Sequence, residues 1–600
     1  MHRSVHRLAA ACLPLLACLG LAAGAQAAPV AGPSGDAFYT PPSPLPAGAN
    51  GDLIWYRPAT LNLGAGAPAV KAWTVLYRST DSKGNANAVT GTVIVPTAAV
   101  SGARPIVSYA FGTQGLGPQC APSRSLTVGP NYETANVIAA LKKGWAVVGT
   151  DYAGYTNGSR PTYLAGKSEG NAVLDIVKAA TQIPSVGLSY AAKAAVWGYS
   201  QGGQAAGFAG ENKAAYAPSL NLQGVAAGGV PGDFFSSARN LNASSGAAFL
   251  LGGVVGLANE FPTEVPFDDL ANDTGKAARE DAYTKCVFAL LNKYVNTDVQ
   301  TFTTNGETLD ELMNLPTVKP VLESQALGTK AVGAPVYQYH GQADEFIPLA
   351  QAITLKKNWC TKGTKVQFDL YPSEHIVTQT QAAASATSWI ANRFAGQAAP
   401  STCATTAAPP ASTADPAGGD FVFPLADWNL SGSVKLGKLN QTLALPAGAT
   451  FDGAANLTTK QITGRTSIPY MSTSIRLLGL SVRVNLIITD AEPVTGTIEL
   501  DDNGDIHMRA QARVWINLRS FGVSVINFGA NCRTQTPVTI ALNFDGSVGK
   551  LGTGELTSAS ESYFPQLVNC GAYGPVLSQL FSGNGNIFTL TESPKAAKPY

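Results

Sequence analysis

The chain has 600 residues, too many for one ordinary core, so two folding units with short appendages are expected. Forty Lys and Arg against 39 Asp and Glu leave a formal charge of +1 with no long run of either sign, which excludes the electrostatic footprint of a nucleic-acid or acidic-membrane binder. Charged residues are only 13%, with 62 Gly and 38 Pro, a turn-rich globular profile rather than a disordered one.

The first residues carry Arg3 and Arg7, then the apolar run LAAACLPLLACLGLAA, then Ala25-Gln26-Ala27 ahead of Ala28. That is the order of a cleaved signal peptide over residues 1–27. Pro14 and its small neighbours argue against a membrane anchor, and no later stretch is apolar enough to span a bilayer, so a secreted or cell-surface protein is expected. Of the eight cysteines, Cys12 and Cys18 leave with the leader. The remaining Cys120, Cys286, Cys360, Cys403, Cys532 and Cys570 read as disulfides in an exported chain. Chain neighbours are the favoured pairs: Cys120 with Cys286, Cys360 with Cys403, Cys532 with Cys570. No CxxC or Cys/His cluster suggests a metal, and no cofactor is expected.

From Val70, VKAWTVLYR, the turn DSKGNAN and AVTGTVIVP predict a hairpin, by alternation and β-branched residues on both sides of a polar turn. Then PIVSYA, GWAVVGT, AAVWGYS, LQGVAAGG, APVYQYHG and KVQFDLYP follow as short apolar runs, most of them separated by helical stretches such as NVIAALKKG and GNAVLDIVKAATQI. Buried runs alternating with helices predict an α/β unit with a mainly parallel sheet over residues 28–400. Between about residues 232 and 330 the rhythm fails: AAFLLGGVVGLANEF is followed by helical stretches around REDAYTKCVFALLNKYV and TLDELMNL. This predicts an inserted helical cap.

Residues 401–420, rich in Ala, Thr, Pro and Gly, have the composition of a linker. Residues 421–600 show alternation and frequent turns with almost no helical periodicity, predicting an all-β, sandwich-like unit whose role the sequence does not assign. Trp428, Trp515 and Tyr563 in it could form a binding face, although scattered aromatics more often belong to a core.

Gly198-Tyr199-Ser200-Gln201-Gly202 matches G-x-S-x-G, a pattern that chance produces readily in so glycine-rich a chain. Its context is more specific: the strand AAKAAVW runs into it and QGGQAAGFAG follows as a helix start, the strand–turn–helix setting of a nucleophile elbow. Of the histidines outside the leader, His507 lies in the β unit, so His340 and His375 are the candidate bases for Ser200. His375 follows the last predicted strand, KVQFDLYP, and precedes a helix, where a base is expected; His340 ends a strand too close to Asp344 and reads as structural. Asp344, in the loop HGQADEFIP after a strand, is the expected acid, with Glu345 and Glu374 as rivals. Oxyanion donors are expected from the backbone of Gln201 and from the loop YAFGTQG, at Thr113 ahead of Gly112.

FYTPPSPLPAGANGDLIWYRP, FGTQG through CAPS, GTDYAG, GYSQGG, HGQADEFIP and SEH occur in an order that resembles the secretory lipase family of the α/β-hydrolases, over roughly residues 37–400. The resemblance implies esterase or lipase activity on an ester or lipid substrate, with Ser200, Asp344 and His375 as triad, Asp151 and Tyr152 lining the site, and a cap over an acyl pocket; the apolar cap segment AAFLLGGVVGLANEF is expected to cover an acyl tunnel or to make transient contact with a lipid surface. The β unit after Ala399 departs from the family's fungal members. Two other readings compete: an acyltransferase or polyester depolymerase using the same triad, and a surface or polymer-binding protein whose hydrolase fold is inert.

Overall fold

The computed structural model describes residues 30–405, 410–414, 419–523, 526–554 and 556–600. The expected leader and its cleavage site lie outside these residues, as does part of the expected linker.

One sheet has eleven strands among the described residues. Across it run Val30–Ala31, Leu53–Ala59, Val70–Thr80, Ala86–Pro96, Ala146–Thr150, Ile106–Ala110, Ala194–Tyr199, Leu222–Gly228, Val336–Gly341, Val366–Tyr371 and Lys598–Pro599. The hairpin forms as its alternation predicts, Val70 opposite Pro96 and Thr80 opposite Ala86. The six strands from Ala146–Thr150 to Val366–Tyr371 are parallel. They are apolar on both faces because helices cover both, among them Gly166–Thr181 and Gln201–Tyr216 on one side and Ala383–Phe394 on the other. This is the α/β-hydrolase arrangement, with the ends of the parallel strands free to carry a site.

The chain between Leu222–Gly228 and Val336–Gly341 forms the helical insertion. Ala247–Glu260 is apolar nearly all round because one face borders a cavity while another packs on the helix Val287–Tyr294. The stretch around Cys286 is two helices, Asp273–Ala282 and Val287–Tyr294, rather than one. Cys286 sits between them, bonded to Cys120. The other disulfides join Cys360 to Cys403 and Cys532 to Cys570.

The second sheet is antiparallel, with thirteen strands among the described residues. Its longest members, Leu480–Leu500 and Asp505–Gly522, pair from Arg483 opposite Gly522 to Leu500 opposite Ile506, with register shifts that let them bend. Val538–Ser547, paired on Asp505–Gly522, also meets Leu556–Phe564: Ser558 Oγ accepts from Asn543 N (3.0 Å) and donates to Ala541 O (3.3 Å). The sheet thus coils back on itself around its own apolar face, with Trp428 buried inside. Trp515 lies under the Arg533 guanidinium at 3.9 Å, and Tyr563 is exposed, so the three aromatics occupy different settings rather than a shared face.

The two units are closely joined. The short helix Gly549–Thr553 packs on the helix His375–Gln381, and the Phe421 and Phe346 ring centroids are 5.5 Å apart. Asn292 Nδ2, on a cap helix, donates to Asp502 Oδ1 at 2.8 Å. Lys598–Pro599 leaves the β unit altogether and pairs antiparallel with Val366–Tyr371, an edge strand nothing in the sequence suggested.

Candidate active site

Ser200 stands between the strand Ala194–Tyr199 and the helix Gln201–Tyr216, with φ 57° and ψ −122°. A non-glycine residue pays strain in that region, and the surroundings enforce it. A Cβ at Gly198 would collide with the Gly202 carbonyl, and one at Gly202 with the carbonyl of Ala110. Only hydrogens fit on either side of the serine, so the turn is sharp and its hydroxyl projects from the sheet. Ser200 N donates to Gly228 O at 2.9 Å, fixing the turn to the next strand.

His375 is the first residue of the helix His375–Gln381, four residues after the strand Val366–Tyr371. Its Nε2 lies 3.0 Å from Ser200 Oγ and its Nδ1 2.7 Å from Asp344 Oδ2. The other Asp344 oxygen accepts from Phe346 N (3.1 Å) and Ile347 N (2.7 Å), so the carboxylate is fully buried yet satisfied. Burial pushes this carboxyl up, but the His375 and His340 imidazoles and these hydrogen bonds outweigh it and hold it below the usual carboxylate range. Asp344 thus carries its charge where an imidazolium would need it. The three side chains expected from the sequence order thus lie within hydrogen-bonding reach of one another.

The rivals have other duties. Glu374 accepts from Ile376 N and Val377 N, capping the helix that begins at His375. Glu345 accepts from His375 N at 3.2 Å, so it holds the backbone of the histidine and not its ring. Buried His340 donates from Nε2 to Ile347 O at 2.9 Å, bracing the Asp344 loop, and burial pushes its pKa down.

The loop before Gly115 packs beside the elbow, since a Cβ at Gly112 would lie 3.1 Å from Tyr199 O. Thr113 Oγ1 is 2.7 Å from the Tyr163 hydroxyl, and Thr113 O accepts from the Tyr132 hydroxyl at 2.7 Å. Gly112 does not serve as expected, because its N–H is already donated to Glu133 Oε2 at 2.8 Å. Glu133 also takes Gln114 Nε2 (3.0 Å), Gln379 Nε2 (2.7 Å) and the Tyr109 hydroxyl (3.2 Å). One buried carboxyl thereby links the 112–114 loop to the helix of His375, and burial pushes it up to about 8. A second buried acid, Glu169, accepts from the Gln201 side chain at 2.7 Å and from Leu164 N at 2.9 Å, and is likewise pushed to about 8 by burial. Neither acid had a signal in the sequence, since each is defined by partners far along the chain.

Asp151 and Tyr152 correct another expectation: neither borders the cavity at Ser200. Asp151 is buried and accepts from Thr90 Oγ1 (2.7 Å) and from Ser123 N (2.8 Å), fixing the start of the helix Pro122–Val128. Tyr152, at φ 66°, turns its hydroxyl to Phe111 O at 2.7 Å and so props up the loop that carries Thr113. A motif gives adjacency along the chain, not the direction a side chain takes.

Ser200, Gln201 and His375 open onto a cavity of about 150 Å³. Its wall is nearly all apolar, with Phe249, Val254, Leu257, Phe302, Leu312 and Phe346 among the lining side chains. A space of this kind suits a hydrocarbon chain attached to a polar group held at the serine.

The secretory lipase family model matches residues 120–402. Lipase 5 of Candida albicans is 30% identical over 395 residues, covering 62% of this chain and 83% of that protein. A secreted triacylglycerol lipase of Malassezia furfur is 29% identical over 326 residues, covering 52% and 83%. The X-ray structure of Candida antarctica lipase A in its closed state superposes with a TM-score of 0.55 at 26% identity, over 63% of this chain and 88% of that one. The family match ends before Val422, where the second sheet begins. Fold, site geometry and relatives agree that this chain belongs to the secretory lipase family, exported serine hydrolases of carboxylic esters.

Proposed function

We propose that the protein is an acylglycerol lipase in which Ser200 is the nucleophile, His375 the general base and acid, and Asp344 the group that orients and charge-balances the imidazole. The observation that carries this reading is the hydrogen-bonded line from Ser200 Oγ through His375 to Asp344 at the mouth of an apolar cavity.

In the acylation step His375 Nε2 takes the Ser200 proton as Oγ attacks the ester carbonyl, and the imidazolium is balanced by the Asp344 carboxylate. The oxyanion is received by the backbone N–H of Gln201, at the helix N-terminus, and by that of Thr113, with the Thr113 hydroxyl as a further donor. Loss of one such donor raises the barrier by about 3 kcal/mol. His375 then protonates the departing alcohol, and water, activated by the same imidazole, releases the acid. The acyl chain lies in the apolar cavity beneath the cap, and its desolvation there contributes the substrate's binding energy.

Ser200→Ala tests the assignment. It should abolish hydrolysis of short nitrophenyl esters while leaving the melting temperature within a few degrees. Parental turnover in that variant would remove Ser200 from the mechanism.

A further inference from the structure

The β unit is chemically lopsided. Residues 466–489 and 514–544 contain Arg476, Arg483, Arg519 and Arg533 and no Asp, Glu or Lys. Of the acids of the same long strands, Asp490 and Glu492 lie at mid-length, while Glu499 and Asp505 lie at the end at which Asn292 of the cap meets Asp502. Among the described residues none of the four arginines has a carboxylate within ion-pair distance, whereas Arg513, nearer the other end, is paired with Glu492 at 2.9 Å.

The extreme point of the basic end is the hairpin joining Met471–Leu477 to Leu480–Leu500. Leu477 opposite Leu480 is its last pair, and Leu478 (φ 50°) and Gly479 (φ 82°) make the turn. A two-residue turn with both φ positive favours Asn and Gly, so leucine at its first position has no conformational rationale. Packing gives none either: Leu478 is fully exposed and Leu480 is 60% exposed. Val523, 67% exposed, follows Gly522, which sits opposite Arg483, so another exposed apolar side chain lies about 10 Å behind the first turn. Arg476 pairs with Ser481 and Arg483 with Ser474, placing both exposed cations on the strands just behind the leucines.

An apolar tip with unpaired arginines one to three pairs behind it matches a lipid surface, whose acyl layer takes the leucines while its anionic groups meet the guanidinium ions. We propose that this end of the β unit docks the enzyme on the surface of the lipid aggregate that supplies its substrate. Only the identity of that aggregate rests on the lipase reading. The strand Leu480–Leu500 separates the tip from the cap contact by on the order of 60 Å along its path, so docking concentrates the enzyme at the interface without touching the chemistry.

The test uses the full chain carrying Ser200→Ala, and triolein droplets coated with phosphatidylcholine, with or without added oleate. The chain should float with the droplets, more strongly with oleate and less so as salt rises. Adding Leu478→Asn and Leu480→Ser should lower the partition coefficient at least about tenfold, and Arg476→Gln with Arg483→Gln should remove the gain from oleate. The same tip changes in the Ser200 enzyme should leave short nitrophenyl ester hydrolysis unchanged, showing an intact fold. Unaltered droplet retention in the tip variant overturns the proposal. So does a sedimentation-velocity result in which the parent is a dimer and the tip variant a monomer, since the tip would then be a contact between copies. Tip-dependent retention by a chain with no ester turnover would sink the lipase reading and leave the docking surface standing.

Discussion

The disulfide Cys120–Cys286 closes a separation of 166 residues and ties the segment after the Thr113 loop to the cap. Replacing both residues by alanine, Cys120→Ala with Cys286→Ala, removes the link without burying a new polar group. In the chain-entropy treatment, freeing a loop of that length favours the unfolded chain by about 5 kcal/mol at 25 °C. Unfolding entropy of about 2 cal/mol/K per residue, over the roughly 370 residues of the hydrolase unit, converts this to a fall in melting temperature of about 7 °C. Short-ester turnover should fall less than tenfold. Backbone bonds still hold the loop to the cap, Val287 N to Gln114 O at 3.0 Å and Leu116 N to Lys285 O at 3.1 Å, and Glu133 grips it from the other side. Differential scanning calorimetry of parent and variant at one scan rate measures the first effect. A shift under about 1 °C would refute the reasoning, because the loop would then be constrained equally well without its covalent link.

Two further outcomes follow from the cavity and the buried acids. Gly253 borders the cavity and a Cβ there meets only Leu164, at an ordinary 3.5 Å, so Gly253→Phe should fold and fill the acyl space. The ratio of long-chain to butyrate ester turnover should then drop at least about tenfold, the cost of excluding a few methylenes; an unchanged ratio would place the acyl chain elsewhere. Burial holds Glu133 and Glu169 near 8, and Asp175 and Glu592 near 7, all above the ordinary carboxylate value. The folded chain therefore binds more protons than the unfolded one between that ordinary value and about 8, so stability is greatest in mild acid and declines as pH rises through this window. Melting temperatures that stay level or climb from pH 5 to pH 8 would contradict this.

What could be read from the sequence was what local chemistry dictates. The elbow at Ser200 was visible because strand, glycines and helix start are contiguous, and His375 because histidine is scarce and the segment after the last parallel strand is short. The hairpin at Val70 and the parallel runs followed from alternation and from continuous apolarity. What escaped depends on partners brought together only by folding. Gln379 reaches Glu133 from 246 residues away, and that contact decides which backbone N–H near Thr113 is already committed. Asp151 and Tyr152 were misplaced because their motif says nothing of the turn at φ 66° that points them away from the cavity. The packing of Gly549–Thr553 on the histidine helix left no trace, since a short glycine-rich segment carries too little pattern to announce a partner.

The pairing of Lys598–Pro599 with Val366–Tyr371 has a colloidal consequence. Without it the part of that strand beyond the bonds Thr402 makes to Val366 and Phe368 would present unpaired amide and carbonyl groups at the flank of the sheet, a template on which a second molecule could add its own strand. Deleting residues 598–600 should therefore be felt first as turbidity at high concentration, and only later, if at all, as slower turnover.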